Sequence, residues 1–294
     1  MISITQIHVR SYDLDHLDIF WEIPEISEQL EDYDFFVLRS TDGAAGPFEV
    51  LAGPFYNTFH FRDIDVHMLN KWRQYYYKIR VVHRSSQKAK EFGPQWLRAQ
   101  PDLLGLEFQR REQLLFQEFN GRIAFLFPAL TFGQRCGHCW DLGPKNNTIG
   151  RSKHQNCSTC FDTTFVGGFA SPILFYVQID PSPKSVQITE MGEDQFVHST
   201  GRTTAFPPIK AKDIIVEAEN KRWLVNSVSG TEKLRGSVRQ EMRLFELPRD
   251  DIKYKVPVDF DLLRQHSPSR AFTRPMCLQA EQLEPVADAW ETEG

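Results

Sequence analysis

Four cysteines in this chain stand at a spacing that can do chemistry. Cys136-Gly137-His138-Cys139 and Cys157-Ser158-Thr159-Cys160 are two C-x2-C pairs with seventeen residues, Trp140 to Asn156, between them. That separation falls within the roughly fifteen to twenty residues between the halves of four-cysteine zinc sites. Two thiolates two residues apart can turn back on one ion in a tight knuckle, and two knuckles supply the four sulfurs of a closed tetrahedral shell. Cys136, Cys139, Cys157 and Cys160 are therefore the expected metal ligands, and Zn2+ the expected ion. With every position taken by protein, no water is left to activate, so the ion is expected to be structural.

The segment between the pairs includes Gly143, Pro144, Asn146, Asn147, Gly150, Arg151, Lys153 and His154 and has few apolar groups. Burial cannot fold it. Metal binding, worth roughly 10 to 16 kcal/mol in small zinc peptides, can. Two disulfides would suit a secreted chain, but only five cysteines occur in 294 residues, and MISITQIHVR at the start has no apolar run of signal-peptide type. A redox C-x2-C needs a strand-to-helix setting, whereas Gly133, Gly137 and Gly143 indicate loops. His138 and His154 are expected to be solvated knuckle residues, and Cys277 an ordinary small apolar residue.

Other titratable groups were weighed for catalysis. Glu190, Glu193 and Asp194 with His198, or Asp213 with Glu217, could form an acid–base group or bind a cation. They read more simply as loop and strand-edge charges. The sequence has no G-x-S-x-G, H-E-x-x-H or phosphate-binding glycine loop, so no enzyme is expected.

The elements that must position the cysteines are mainly β. At 294 residues two domains are the prior, and 41% hydrophobic with 25% charged residues is the balance of a folded soluble protein. A net charge of −5 gives no general attraction to nucleic acid or anionic membrane, and no apolar run approaches the length of a bilayer span. Short alternating runs recur at about ten-residue spacing: residues 2–10, 17–21, 33–40, 48–51, 58–61 and 75–82, with TDGAAGP and AGP between them. This pattern predicts an antiparallel sandwich over 1–95. Alternation fails from Lys88 to Pro101, which predicts a boundary there.

Residues 96–121 are predicted as linker and helix. Asp102 stands at the cap, Leu104, Phe108, Leu115 and Phe119 at helical spacing, Glu107, Arg110, Arg111 and Glu112 on the other side, and Asn120-Gly121 at the end. Residues 122–260 are predicted as a β-rich, barrel-like domain with the zinc-binding insertion at 133–165. Strands are expected at 122–132, 173–179, 184–189, 237–247 and 254–256, with a hairpin over 212–225 that turns at Glu219 to Lys221. Residues 196–208 read as an extended loop, and 261–294, with Pro268, Pro275 and Pro285, as a C-terminal arm or tail.

Two resemblances add to this. Trp21 followed by Pro24, the DYDFFVLRS run leading into Gly46-Pro47-Phe48, and the YYYKIRVV run resemble the fibronectin type III module over residues 1–95. That resemblance implies Trp21 in the core of the second strand, a packing or corner role for Tyr75 or Tyr77, and no catalytic motif. Trp72 and His83 could then lie at a partner surface.

Residues 102–258 resemble virion structural proteins of long-tailed bacteriophages, found at the neck or head-to-tail connector. The resemblance rests on REQLLFQEFNGR, the CGHC and CSTC pairs, FVGGFASPILFYVQIDPSP, TTAFPPIKAKDIIV and RWLVNSVSGTEKLRGSVRQEMRLFELPRDDIKYKVP. It implies a homo-oligomeric ring, with portal or adaptor and tail proteins as partners, in a virion assembled in the host cytoplasm. Genomic DNA would pass through without specific binding, and no membrane is involved. An alternative is a zinc-ribbon nucleic-acid-binding protein, with Lys145, Arg151, Lys153 and His154 offered to phosphates and Trp140 and Phe161 to bases.

Overall fold

A computed structural model describes residues 2–12, 16–26, 30–66, 74–97, 103–141, 151–152, 156–180, 185–189, 192–196, 198–233 and 236–266. The N-terminal strands are β1 (Gln6–Arg10), β2 (Leu17–Glu22), β3 (Glu25–Ile26), β4 (Tyr33–Ser40), β5 (Glu49–Phe55), β6 (His60–Asp63), β7 (Tyr76–His83) and β8 (Ala89–Trp96). They form an antiparallel sheet of order β1-β2-β6 and another of order β5-β4-β7-β8, with β3 outside both. Alternation puts Leu17, Ile19 and Trp21 of one sheet against Tyr33, Phe35, Val37, Tyr77, Ile79 and Val81 of the other in a single core.

The segment 89–96, expected at a boundary, is a full strand of the larger sheet. Its pattern is irregular for a physical reason. Gly93 and Pro94 sit where the register against β7 shifts between Tyr77 and Ile79, as Gly53 and Pro54 do near the shifts between β5 and β4. Both are edge strands, where a proline that cannot donate to a ladder is tolerated.

Helix α1 (Leu103–Leu115) continues into a wider turn, Phe116–Asn120. It lies against the second half of the chain, burying Leu106, Gln109 and Phe116, and Glu112 pairs with Arg239 at 2.7 Å. The apolar positions singled out in the sequence, Leu104, Phe108, Leu115 and Phe119, are instead exposed, Phe119 by 71%. The helix is apolar on more than one side, so spacing alone did not say which side packs.

The remaining elements are β9 (Arg122–Phe127), β10 (Gly133–Gln134), β11 (Trp140–Asp141), β12 (Arg151–Ser152), β13 (Ile173–Ile179), β14 (Ser185–Thr189), β15 (Gly192–Phe196), β16 (His198–Thr204), β17 (Ile214–Glu217), β18 (Arg222–Lys233), β19 (Gly236–Glu246) and α2 (Phe260–His266). Six of them, in the order β13-β16-β19-β18-β17-β9, close into an antiparallel barrel. Ala124, Leu126, Phe175, Val177, Ile215, Trp223, Val225, Met242 and Leu244 share one buried cluster, as befits a small barrel filled by side chains. Strands β9 and β17 are apolar on both faces because Leu247, Val256 and Leu263 cover their outer side.

Three expectations are corrected here. Residues 198–204 are a barrel strand, not part of a loop. Residues 252–255 form a 3-10 turn, not a strand, capped by Asp251 accepting from the Lys253 N–H. Residues 260–266, assigned mostly to the tail, form α2, in which Asp259 Oδ1 accepts from the N–H groups of Asp261 and Leu262 and Leu263 is fully buried. The expected tail beyond 266, with Cys277, and Trp72 lie outside the described residues. No described helix is long and apolar enough to cross a membrane.

Candidate metal centre

The cysteine segment fills the connection between β9 and β13, which are hydrogen-bonded neighbours in the barrel. Both C-x2-C pairs fold as tight turns. The Cys139 and Trp140 N–H groups donate to Cys136 O, and the Phe161 N–H donates to Cys157 O. The second knuckle turns through residues of positive φ, Asn156 (64°), Phe161 (45°) and Asp162 (62°), and Asp162 Oδ1 accepts from the Cys157 N–H at 3.1 Å. Short bonds tie the two knuckles together: Cys136 N–H to Thr164 O at 2.9 Å, Val166 N–H to Gln134 O at 2.9 Å, and a bridge between Arg135 and Phe165.

This brings all four sulfurs within 4.8 Å of one another, Cys136 Sγ and Cys157 Sγ standing 3.9 Å apart. Four sulfurs bound tetrahedrally at about 2.3 Å from zinc are about 3.8 Å apart, so the donor set and its size fit Zn2+. None of the four is in a disulfide. Cys136, Cys139 and Cys160 are buried, and among the described hydrophobic residues only Cys157 packs in the same cluster. A cluster made of nothing but cysteines has no hydrophobic reason to assemble.

The hydrogen bond from Cys139 and the N–H groups of Thr159 and Cys160 hold the Cys157 thiol down to about 6, against its burial. Burial pushes the Cys139 and Cys160 thiols up.

The knuckles rest on the N-terminal sheets. Strand β10, two residues before Cys136, pairs in parallel with β3. The Arg135 guanidinium lies 4.0 Å from both the Trp140 and Phe165 ring centroids, and its Nε is 3.2 Å from Glu25. Sequence reasoning missed Arg135 and Glu25 as parts of the site; the one signal was an arginine directly before the first pair. His138 is exposed, as expected, and His154, Lys145 and Lys153 lie outside the described residues. Of the aromatics considered for base stacking, Trp140 is covered by Arg135 and Phe161 packs beside Phe169.

The other candidate titratable groups fall on different elements or have separate partners. Glu190 lies outside the described residues; Glu193 and Asp194 are on β15, and His198 on β16 stacks edge-on to Phe245. Asp213 accepts from the N–H groups of Ala129 and Lys210, while Glu217 is held by Arg122 and the Trp223 indole. These two carboxylates have separate partners and make no common site.

The class that fold and site define is a mainly β protein with a closed six-stranded barrel and a four-cysteine centre placed to chelate a metal ion. The chain matches no family model, and no curated protein matches it.

Proposed function

We propose that this is a non-catalytic assembly protein in which Zn2+, held by Cys136, Cys139, Cys157 and Cys160, staples a β-scaffold. In the finer form of this reading, many copies form the neck or head-to-tail connector ring of a tailed bacteriophage. The observation that carries the zinc role is four sulfurs within 4.8 Å, in a cluster that among the described residues contains no hydrophobic residue besides the cysteines. The ion would supply folding free energy and no reaction chemistry. The order of a helix, a closed barrel with the cysteine segment between its first two strands in sequence, and a long β18–β19 hairpin supports the connector reading.

The three-plus-four arrangement of the N-terminal sheets supports reading them as a fibronectin type III-like module. So does Trp21 in their core and Tyr77, whose hydroxyl donates to buried Asp63 at 2.7 Å. Because the barrel is filled, DNA would run through the middle of the ring, past surfaces of an acidic chain of net charge −5.

A second reading is a zinc-ribbon nucleic-acid-binding protein. The cysteine cluster is the feature on which that reading directly depends, and the β11–β12 hairpin between the knuckles carries Arg151. Two measurements on the zinc-loaded chain separate the two. A multimer by light scattering with no salt-dependent mobility shift of DNA or RNA supports the ring. A monomer that shifts nucleic acid, less so at higher salt, supports the ribbon. In either case Cys136→Ser or Cys157→Ser abolishes stoichiometric zinc, and retention of one ion per chain in both variants overturns the site.

A further inference from the structure

We infer that the zinc centre is an intramolecular latch: it fastens the N-terminal sheets to the barrel, next to a second fastening that needs no metal. The inference rests on the zinc reading above and is independent of whether the chain forms a ring.

The two stretches that the cysteines tie together are those that enter the N-terminal core. Before the first knuckle, Leu130 is buried in the same cluster as Trp21, Phe59 and Tyr77, and the Phe132 ring stands 4.8 Å from Phe59, edge-on. Gly133 and Gln134 then pair with Glu25 and Ile26. After the second knuckle, Phe165 is 5% exposed in that cluster. The Asn57 side chain donates to Phe169 O at 2.9 Å, and the Ser171 N–H donates to Asn57 O at 2.9 Å. Residues 134–136 and 164–166 thus form a short two-stranded strip wedged against the N-terminal sheets, with the four sulfurs closing one end.

Few backbone bonds hold this strip, and among the described residues the sulfur end has no apolar residue in its cluster besides the cysteines. Without the metal, that end is four sulfurs crowded together, three of them buried. Segments with so little support open at low free energy. The strip should therefore loosen when zinc leaves, and the docking surface formed by Leu130, Phe132 and Phe165 with it.

The second fastening is built differently. Phe206, in the loop after β16, lies under Arg62, 3.9 Å from its guanidinium carbon, and beside His60 and Tyr12. Behind His60 and Arg62 stands the fully buried Asp18, which bonds to both. The loop is rigid because the buried Gln240 side chain donates to the carbonyls of Thr204, Ala205 and Pro207 and accepts from the Ile209 N–H. None of the contacts just named involves a cysteine.

The test uses the full chain, with bound zinc counted first, then backbone hydrogen exchange before and after removal of the metal by a chelator. The latch predicts at least about tenfold faster exchange at the amides of Gly133, Cys136, Val166 and Ser171. The central strands β4, β7, β18 and β19 should keep their protection. In Phe206→Ala, zinc removal should also enlarge the radius of gyration in small-angle scattering, while the zinc-loaded variant keeps the wild-type value. Unchanged exchange at those four amides overturns the latch, as does simultaneous loss of protection in the central strands, which would make zinc a support of the whole fold. A chain that takes up no zinc overturns both the latch and the zinc reading, and the metal count alone reports that result.

Discussion

Arg135 Nε stands 3.2 Å from the Glu25 carboxylate and joins the residue before the first knuckle to a short strand of the N-terminal half. The ion pair itself is partly solvated, with Glu25 55% exposed, and exposed pairs contribute only about 0 to 1 kcal/mol. The larger share of the contact is the guanidinium held between the Trp140 and Phe165 rings. Glu25→Ala should therefore cost less than about 0.5 kcal/mol in urea unfolding, and Arg135→Ala about 1 to 2 kcal/mol, each cation–π contact being worth about 0.5 to 1. Equal effects of the two substitutions would show that charge, not stacking, holds the contact.

Gly168 has φ +70°, and a Cβ there would meet Cys160 O and Phe161 Cδ2 at 2.8 Å. Gly167 also has positive φ, +85°, but its Cβ would meet only Leu130 Cδ1, at 3.9 Å. Gly167→Ala should cost about 1 kcal/mol through the backbone alone, whereas Gly168→Ala should cost about 2 to 3 and weaken zinc binding by displacing the second knuckle. Thermal unfolding and competition with a chromophoric chelator measure the two effects separately.

Asp213 is buried directly before β17, and burial pushes its carboxyl up to about 7 against the two N–H donors that favour the anion. A carboxyl raised above its unfolded value of about 3.9 binds a proton more readily in the folded chain. Its contribution to stability is thus fully present below about pH 4 and is lost as pH rises through about 7. Asp213→Asn should flatten the stability–pH curve in that window. Curves of equal slope for the variant and the wild type would assign the titration to other groups.

Gln240→Leu keeps the side-chain volume but removes the four hydrogen bonds that the Gln240 side chain makes to the 204–209 loop. Buried acceptors left without donors cost about 1 to 3 kcal/mol each, so a loss of about 2 to 4 kcal/mol is expected, together with loosening of Phe206 from Arg62. Urea unfolding gives the first quantity and hydrogen exchange in residues 60–63 the second.

Several elements were legible because their residues alternate between a fully buried face and a less buried one. Strands β4, β7 and β13 largely follow this alternation in their sequences. Strand β16 was not legible, since HSTGRTT has no large apolar residue to mark an inner face. Its inward positions are small for a reason found on the neighbouring strand β19: a Cβ on Gly201 would meet Leu244 Cδ1 at 2.8 Å and Met242 Cγ at 2.9 Å. The 3-10 turn at 252–255 was misread for the opposite reason. Tyr254 and Val256 alternate like a strand, but a local cap by Asp251 decides the backbone.

The two C-x2-C pairs by themselves marked the four cysteines that stand placed to chelate a metal ion, because knuckle formation depends on spacing within a few residues and on the sulfur donors. Only the tertiary structure decided what the centre is attached to. The contacts of Arg135 with Glu25, Phe165 with the Trp21 core, and Phe206 with Arg62 join residues far apart in the chain. Such contacts depend on how whole sheets meet, and no local periodicity records them.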